Sequence, residues 1–278
     1  MAIKIMYITN NPEIAIIAEN AGVDRIFLDM EYIGKSKRQG GMDTVQNYHT
    51  LEDIQRIRNV VNKSDLLVRC NPVHDETEEY CSTESEINGI INCGADLIML
   101  PYFKTVQEVR RFLGAVDGRA KTMLLFETPE SVEQADMILN IPGIDEVFIG
   151  LNDLSLGYSM KFMFELLAEG TVESLCLKFR EKGISYGFGG MAAIGTGTLP
   201  AELILKEHYR LGSSCVILSR SFCDSTKIDD MNLVKEKFET GLRCIRAFEK
   251  EIKVHSDYFE DSHKELQKAI RQIVGLLS

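Results

Sequence analysis

The feature that most constrains the fold of this chain is a regular alternation of short apolar runs with longer amphipathic segments. Near-continuous apolar runs are typical of strands covered on both faces of a parallel sheet. Eight such runs are predicted as strands: Ile3–Ile8, Arg25–Asp29, Asp65–Arg69, Leu97–Leu100, Thr122–Phe126, Glu146–Ile149, Ser185–Phe188 and Cys215–Leu218. Eight strands alternating with helices predict a (β/α)₈ barrel. An open doubly wound sheet is the alternative, although no glycine-rich phosphate-binding turn follows the first run.

The segments between the strands carry helix signals. Pro12–Ala21 has proline in its first turn and ends before Gly22, and Thr50–Val61 opens with a capping-box-like Thr50 and Asp53. Further helices are predicted at Glu84–Asn92, Thr105–Leu113, Ser131–Leu139, Val172–Lys182 and Pro200–Leu211.

The C-terminal tail is longer than an eighth barrel helix requires. We assign residues 1–227 to the barrel core and residues 228–278 to a helical extension. Met231–Ile252 and His255–Ser278 have apolar residues at helical spacing, so two amphipathic helices are expected. Both could cover the barrel, or the second could dock on a partner subunit, and we expect a homo-oligomer.

Composition restricts the class of protein. The chain has 278 residues and a net charge of −11, which argues against nucleic acid as a partner. Its seven cysteines are scattered and include no CxxC pair, as in a reduced cytoplasmic protein. The N-terminus lacks the pattern of a signal peptide, and no apolar run reaches the roughly 18 residues of a membrane span.

Two lone carboxylates follow consecutive predicted strands. Glu127 comes directly after the apolar run Leu124–Phe126, and Asp153 comes a few residues after the run Glu146–Ile149. Parallel strands of a barrel bring such positions to one rim, where paired carboxylates suit a hard divalent cation, Mg²⁺ or Mn²⁺. Alternatively, Glu127 caps the next helix and Asp153 caps a turn.

Several of these segments, taken together, resemble the HpcH/HpaI aldolase and citrate lyase β-subunit superfamily of pyruvate-binding barrels. The segments that carry the resemblance are Ala21–Tyr32, Leu66–Arg69, Asn92–Pro101, Phe126–Thr128 and Gly143–Ser155. The similarity covers most of residues 15–225 and leaves the tail outside.

The resemblance implies a role for each matched residue. Glu127 and Asp153 match metal ligands, and Arg69 matches the arginine that binds the pyruvate or enolate oxygen. Asp29 and Glu31 match acidic residues near the water shell of the metal. The implied chemistry is carbon–carbon bond cleavage or formation beside a 2-oxo acid through a metal-stabilised enolate. No lysine stands at a predicted strand end, which speaks against a lysine-dependent aldolase.

The chain departs from the family pattern at Tyr32, where the aldolases have a histidine base. A phenol with a reference pKa near 10 is a poor base at neutral pH. Tyr32 is therefore expected to line the site. The candidate bases are a water on the metal, His49 and His74. A second departure is the short connection between strands four and five, where the aldolases carry an insertion rich in glycine and arginine.

Three loops are expected to contact substrate. In the basic loop Gly34–Thr44, the residues Lys35, Lys37, Arg38 and Gln39 are candidates to bind an anionic group on the second substrate, although a solvated loop is as plausible. Gly150, Leu151 and Asn152 precede Asp153 and are expected to line the substrate site. Gly187–Ala192 follows the seventh strand, where barrels often bind phosphate.

We therefore predict a metal-dependent carbon–carbon lyase or aldolase acting on a 2-oxo acid and an aldehyde, which could be phosphorylated or sugar-derived. One alternative is a lyase of citrate- or malyl-type CoA thioesters. The other is a catalytically silent barrel that binds a metabolite.

Overall fold

The computed structural model describes residues 2–35, 47–254 and 259–277. Eight parallel strands form a closed barrel in which each strand pairs with its neighbours in the chain and β8 pairs with β1. The strands are β1 (Lys4–Ile8), β2 (Arg25–Asp29), β3 (Asp65–Arg69), β4 (Leu97–Leu100), β5 (Lys121–Phe126), β6 (Glu146–Ile149), β7 (Ser185–Met191) and β8 (Cys215–Leu218). The predicted (β/α)₈ barrel is confirmed, and five of the eight strands have the predicted bounds.

The largest difference from the predicted strands is in β7. This strand continues to Met191, so the glycine-rich segment predicted as a loop after the strand lies within it. The pairing of β7 with β8 shifts in register between Gly187 and Gly190. Glycine permits such an irregularity because it accepts backbone angles that other residues avoid, and Gly189 has a φ of +55°.

Twelve α-helices occur in the described residues. They are α1 (Pro12–Ala21), α2 (Leu51–Arg58), α3 (Thr83–Asn92), α4 (Val106–Val116), α5 (Pro129–Glu133), α6 (Ala135–Ile138), α7 (Leu151–Gly157), α8 (Glu165–Ala168), α9 (Thr171–Glu181), α10 (Ala201–Leu211), α11 (Met231–Val254) and α12 (Phe259–Leu276). The predicted helix Ser131–Leu139 is divided into α5 and α6. The short helix α7, which begins directly after β6, was not predicted.

Side chains fill the interior of the barrel, as in other closed eight-stranded barrels. Met6, Phe27, Met99, Leu125 and Phe148 belong to this inner apolar cluster. A Cβ on Gly187 would lie 2.3 Å from the carbonyl oxygen of Cys215, so only glycine fits between β7 and β8 at this position.

A buried ion pair lies among the amino-terminal ends of the strands. The Arg25 guanidinium, at the start of β2, donates two hydrogen bonds to Glu146 at the start of β6, over 2.8 and 2.5 Å. Burial would favour a lower pKa for Arg25, but the carboxylate of Glu146 raises it. Arg25 and Glu146 therefore neutralise each other at this end of the barrel.

Both tail helices pack on the barrel of their own chain. Helix α11 lies against α1, and its Glu249 carboxylate accepts a hydrogen bond of 2.8 Å from the Ile3 amide. Helix α12 contacts α8 and α10 and buries Leu266 and Ile270. Helix α12 thus covers the barrel of its own chain, and its docking on a partner subunit stays a prediction. The division at residue 228 and the homo-oligomer stay predictions. Among the described residues, no helix has the length and apolarity needed to cross a membrane.

Candidate active site

A cavity of about 370 Å³ opens at the rim formed by the carboxyl ends of the strands. Its floor is apolar and consists of the inner barrel side chains Phe27, Met99, Leu125 and Phe148. Its walls carry most of the side chains that the sequence predicted for the site: Asp29, Lys35, Arg69, Glu127, Gly150, Leu151, Asn152 and Asp153. Most of the predicted set thus converges on one concave surface, although its members come from the ends of four different strands, β2, β3, β5 and β6.

Glu127 directly follows β5 and is positioned by the segment after β4 and by Gly150. The Tyr102 amide donates a hydrogen bond of 2.9 Å to Oε1 of Glu127. A Cβ on Gly150 would lie 2.7 Å from Oε2 and 2.8 Å from Cβ of Glu127. The glycine therefore leaves the space that the carboxylate occupies.

Asp153 lies in the first turn of α7, the unpredicted helix, and is buried. An acidic side chain is stabilised at a helix amino terminus by the helix dipole. The N-cap of α7 is Gly150, with no side-chain cap hydrogen bond, and Asp153 lines the cavity.

Burial raises the pKa of Glu127 well above its ordinary value, and the negative charges of Glu31 and Asp153 raise it further. Arg69 and the Tyr102 amide act in the opposite direction. Among the described residues, the charged side chains at this rim are three cations (Lys35, Arg69 and Arg220) and five carboxylates (Asp29, Glu31, Glu127, Asp153 and Asp224). When all are ionised, the carboxylates exceed the cations by two charges, which is the charge of one divalent ion.

Asp29 and Arg69 form the best-defined ion pair of the site. They are register partners at the carboxyl ends of β2 and β3. Arg69 donates from Nε to Oδ1 and from Nη2 to Oδ2 of Asp29, each over 2.8 Å. Burial alone would raise the pKa of Asp29, but Arg69 and Lys35 outweigh it and hold that pKa well below its usual range. Asp29 is therefore ionised at neutral pH.

Lys35 occupies the site in a way that the sequence did not indicate. Its side chain is buried, and Nζ lies 2.8 Å from Oδ2 of Asp29 and 3.5 Å from Oε2 of Glu31. Lys35 comes six residues after Asp29, the last residue of β2, so it is not a strand-end lysine, but the turn after β2 brings it to the cavity. Lys35 is engaged by two carboxylates and is not a solvated loop residue. Lys37, Arg38 and Gln39 lie outside the described residues.

Tyr32 lies beside the site and is not among the described residues that line the cavity. Its side chain is 39% exposed, and its ring centroid is 5.8 Å from that of Tyr80. Burial, followed by the charge of Glu86, raises its pKa above the ordinary value of 10.0. The phenol is accordingly a poorer base here than in water.

Of the two histidines considered as substitute bases, His74 has both ring nitrogens engaged and His49 has Nδ1 engaged. Nδ1 of His49 accepts a hydrogen bond of 2.9 Å from the Asp29 amide, and burial lowers the pKa of this ring. A neutral His49 therefore carries its proton on Nε2. Nδ1 of His74 is 2.7 Å from the Pro72 carbonyl oxygen, and Nε2 is 2.8 Å from that of Cys81. Both histidines thus hold loops in place.

One wall of the cavity was missed by the sequence analysis. It follows β8 and includes Ser219, Arg220, Cys223, Asp224 and Ser225. The Tyr7 hydroxyl, from β1, lies 2.9 Å from Oγ of Ser225 and donates to the Cys223 carbonyl oxygen over 3.1 Å. The position of this segment after a barrel strand was the available signal.

The donor set at Glu127 and Asp153 fits a hard divalent cation. Both donors are carboxylates, and the cavity also admits water or substrate oxygens, which Mg²⁺ commonly keeps as ligands. Within the described ranges, no group of three or more His, Cys, Asp or Glu side chains is arranged to hold a metal by itself. A cation held here would therefore depend on two protein carboxylates and on oxygens from substrate and water.

Comparisons with known proteins identify one family. The sequence profile of the HpcH/HpaI aldolase/citrate lyase family matches residues 5–186, a span that includes Asp29, Arg69, Glu127 and Asp153. A search of curated proteins found no match.

Two solved structures have similar folds. An HpcH/HpaI aldolase from Desulfitobacterium hafniense DCB-2 has 17% identity and a TM-score of 0.58, covering 78% of this chain and 86% of the other. An HpcH/HpaI aldolase/citrate lyase family protein from Burkholderia cenocepacia J2315 has 12% identity and a TM-score of 0.61, covering 81% and 91%. At these identities the two structures support the barrel fold alone.

Proposed function

This chain belongs to the HpcH/HpaI aldolase/citrate lyase family, and from that membership we propose that it is a divalent-metal-dependent carbon–carbon lyase. Its substrates are a 2-oxo acid of the pyruvate type, which reacts as an enolate, and an aldehyde. The family indicates a lyase, and the specific reaction is inferred from the residues of the cavity.

The observation that carries this proposal is the charge arrangement around one cavity. Glu127 and Asp153 lie on one wall and a fixed arginine, Arg69, on another, above an apolar floor. The excess of carboxylates disfavours binding of an anionic 2-oxo acid by the protein alone. A divalent cation held by Glu127 and Asp153 balances that excess and makes the cavity suitable for an anion.

The chemistry that such an ion supplies when bound is Lewis-acid stabilisation of negative charge on an enolate oxygen. Arg69 contributes charge-assisted hydrogen bonds to the oxygens of the same substrate, where negative charge develops. The apolar floor excludes water from the reacting carbon, so that these electrostatic interactions act in a medium of low polarity.

The wall after β8 provides the room and the polar groups for the second substrate. It lies outside the residues matched by the family profile, which end at residue 186. We therefore expect the choice of aldehyde to be a property of this chain. An anionic group on that aldehyde would be bound by the basic loop.

The proposal is tested by following deuterium exchange at the methyl group of pyruvate, with and without Mg²⁺ or Mn²⁺. Exchange should require the metal. Glu127→Gln and Asp153→Asn should each slow exchange, because each variant should lose several kcal/mol of transition-state stabilisation. Glu207→Gln, a buried carboxylate paired with Arg210 far from the cavity, is the matched control and should behave as the parent.

Two results would contradict the proposal. Undiminished exchange after exhaustive chelation would reject the metal requirement. Binding of metal and oxalate with no exchange in the parent would identify a silent, metabolite-binding barrel.

A further inference from the structure

We propose that Asp29 is a positioning residue that acts on substrate binding through Arg69. This inference rests on the proposed function, because it assumes that Arg69 binds the 2-oxo acid. It assigns to Asp29 a role that differs from contact with the water shell of the metal, which the family resemblance implied.

The first observation is that the Arg69 guanidinium is held from three sides. Asp29 binds its Nε–Nη2 edge with two hydrogen bonds of 2.8 Å. The Phe27 ring centroid lies 5.7 Å from the central carbon of the guanidinium, and Oε2 of Glu31 lies 3.3 Å from Nη1. Nη1 faces Glu31 and carries N–H groups that Asp29 does not engage, so a substrate oxygen would bind on this side, and the Asp29 pair determines where Nη1 points.

The second observation is that both oxygens of Asp29 are saturated. Oδ1 accepts from Arg69 and, over 3.2 Å, from the Glu31 amide. Oδ2 accepts from Arg69, from Lys35 over 2.8 Å and from Asn47 over 3.1 Å. A carboxylate offers about four lone-pair sites, so five donors leave no capacity for substrate or for water on a metal. Asp29 can then influence the reaction only through the groups that it holds.

The third observation is that Asp29 and Arg69 occupy neighbouring positions on paired strands. Asp29 and Arg69 are opposite each other in the β2–β3 register, and the Met30 amide donates to the Arg69 carbonyl oxygen over 3.0 Å. The two side chains thus start from fixed, adjacent backbone positions, so that only their side-chain torsions have to be ordered when the pair forms. Such a pair is suited to orienting a guanidinium for planar recognition of a carboxylate.

A double-mutant cycle tests this proposal, with oxalate as the stand-in for the enolate of pyruvate and Mn²⁺ present. Asp29→Asn should raise the Kd for oxalate by about 10- to 100-fold, as loss of an orienting partner typically does. Arg69→Ala should raise it by at least as much. In the Arg69→Ala background, Asp29→Asn should change the Kd by no more than about twofold, because the partner through which it acts is gone.

A second measurement separates positioning from metal binding and from general structure. The Kd for Mn²⁺ alone should change much less than the Kd for oxalate in Asp29→Asn, because Glu127 and Asp153 remain in place. Glu207→Gln, which removes the charge of another buried, arginine-paired carboxylate, should leave the Kd for oxalate at the parent value.

If Asp29→Asn folds poorly, the combination of Asp29→Asn with Lys35→Met replaces it. This combination removes one anion and one cation, so the buried charge stays balanced. It should bind oxalate as weakly as Asp29→Asn. Recovery of parental affinity in this combination would show that Asp29 only neutralises Lys35, and would overturn the proposal.

Other outcomes are equally decisive. The inference would be overturned if Asp29→Asn and Arg69→Ala raised the Kd for oxalate independently, so that the double variant showed the product of the two effects. It would also be overturned if Asp29→Asn weakened Mn²⁺ binding as much as oxalate binding. Either result would leave the proposed function intact. Absence of metal-dependent oxalate binding in the parent would overturn both.

Discussion

The Cα of Gly150 lies against the carboxylate of Glu127, so closely that a methyl group on Gly150 would lie 2.7 Å from Oε2. Gly150 precedes α7, whose first turn carries Asp153. The position of Glu127 is thus coupled to the start of the helix that carries Asp153, the other proposed metal ligand. The close contact between Gly150 and Glu127 that couples them requires glycine at position 150.

We expect Gly150→Ala to lower metal affinity and metal-dependent exchange of pyruvate, because the added methyl group must displace Glu127 or the start of α7. Gly114→Ala is the matched control. Gly114 lies in α4 with open space around its Cα, and alanine there should stabilise the protein by about 0.5–1 kcal/mol. Isothermal titration with Mn²⁺ measures the effect, and parental affinity in Gly150→Ala would show that the contact is not restrictive.

Tyr32→Phe should retain metal-dependent deuterium exchange of pyruvate. The phenol lies outside the lining of the cavity, and burial and Glu86 raise its pKa, so it does not serve as the base. The choice of aldehyde can still change, since Tyr32 lies close to the rim. Tyr48→Phe, at a tyrosine that is 65% exposed, controls for loss of a hydroxyl group. Loss of exchange in Tyr32→Phe, with metal and oxalate still bound, would identify the phenol as the base.

The basic loop should recognise an anionic group on the aldehyde. Replacing Lys37 and Arg38 by serine should raise the KM for an anionic aldehyde and leave pyruvate binding unchanged. Lys35→Ser should weaken pyruvate binding as well, because Lys35 is bound to Asp29. Lys235→Ser with Lys237→Ser removes the same charge from the exposed face of α11 and should change neither. A KM for the anionic aldehyde that is unchanged from the parent in the Lys37 and Arg38 variant would assign that pair to solvated surface.

Protein stability should depend on pH through His208, away from the active site. This ring is fully buried and stacks on Phe188 with centroids 3.8 Å apart, and burial lowers its pKa from 6.5 to about 3. The unfolded chain therefore binds a proton near pH 6.5 that the folded chain does not. The free energy of unfolding should fall from this cause as pH decreases from 6.5 toward 3, by at most about 1.4 kcal/mol per pH unit.

The measurement for His208 is urea denaturation at several pH values. His208→Phe keeps the stacking with Phe188 but cannot titrate, so its stability should vary less with pH over this range, whatever its absolute value. His263→Phe is a control at a partly exposed histidine on α12. An unchanged pH dependence in His208→Phe would show that other groups cause the acid sensitivity.

The sequence by itself determined the barrel and most of the cavity wall. Strand and helix periodicities are local properties, so the eight apolar runs could be recognised without knowledge of contacts. The rule that chemistry lies at the carboxyl ends of barrel strands then placed Asp29, Arg69 and Glu127 on one rim, where the structure has them. The same rule could have indicated the wall after β8, but its residues form no distinctive motif.

Only the tertiary structure decided how the charged residues pair. Lys35 belongs by sequence to a basic loop, yet the turn after β2 turns it inward onto Asp29 and Glu31. By sequence, His49 is a candidate base, yet its Nδ1 accepts a hydrogen bond from the Asp29 amide. The physical reason is that closure of the barrel sets the distances between side chains of different strands. In a buried site those distances determine which charges neutralise each other and which remain for a ligand.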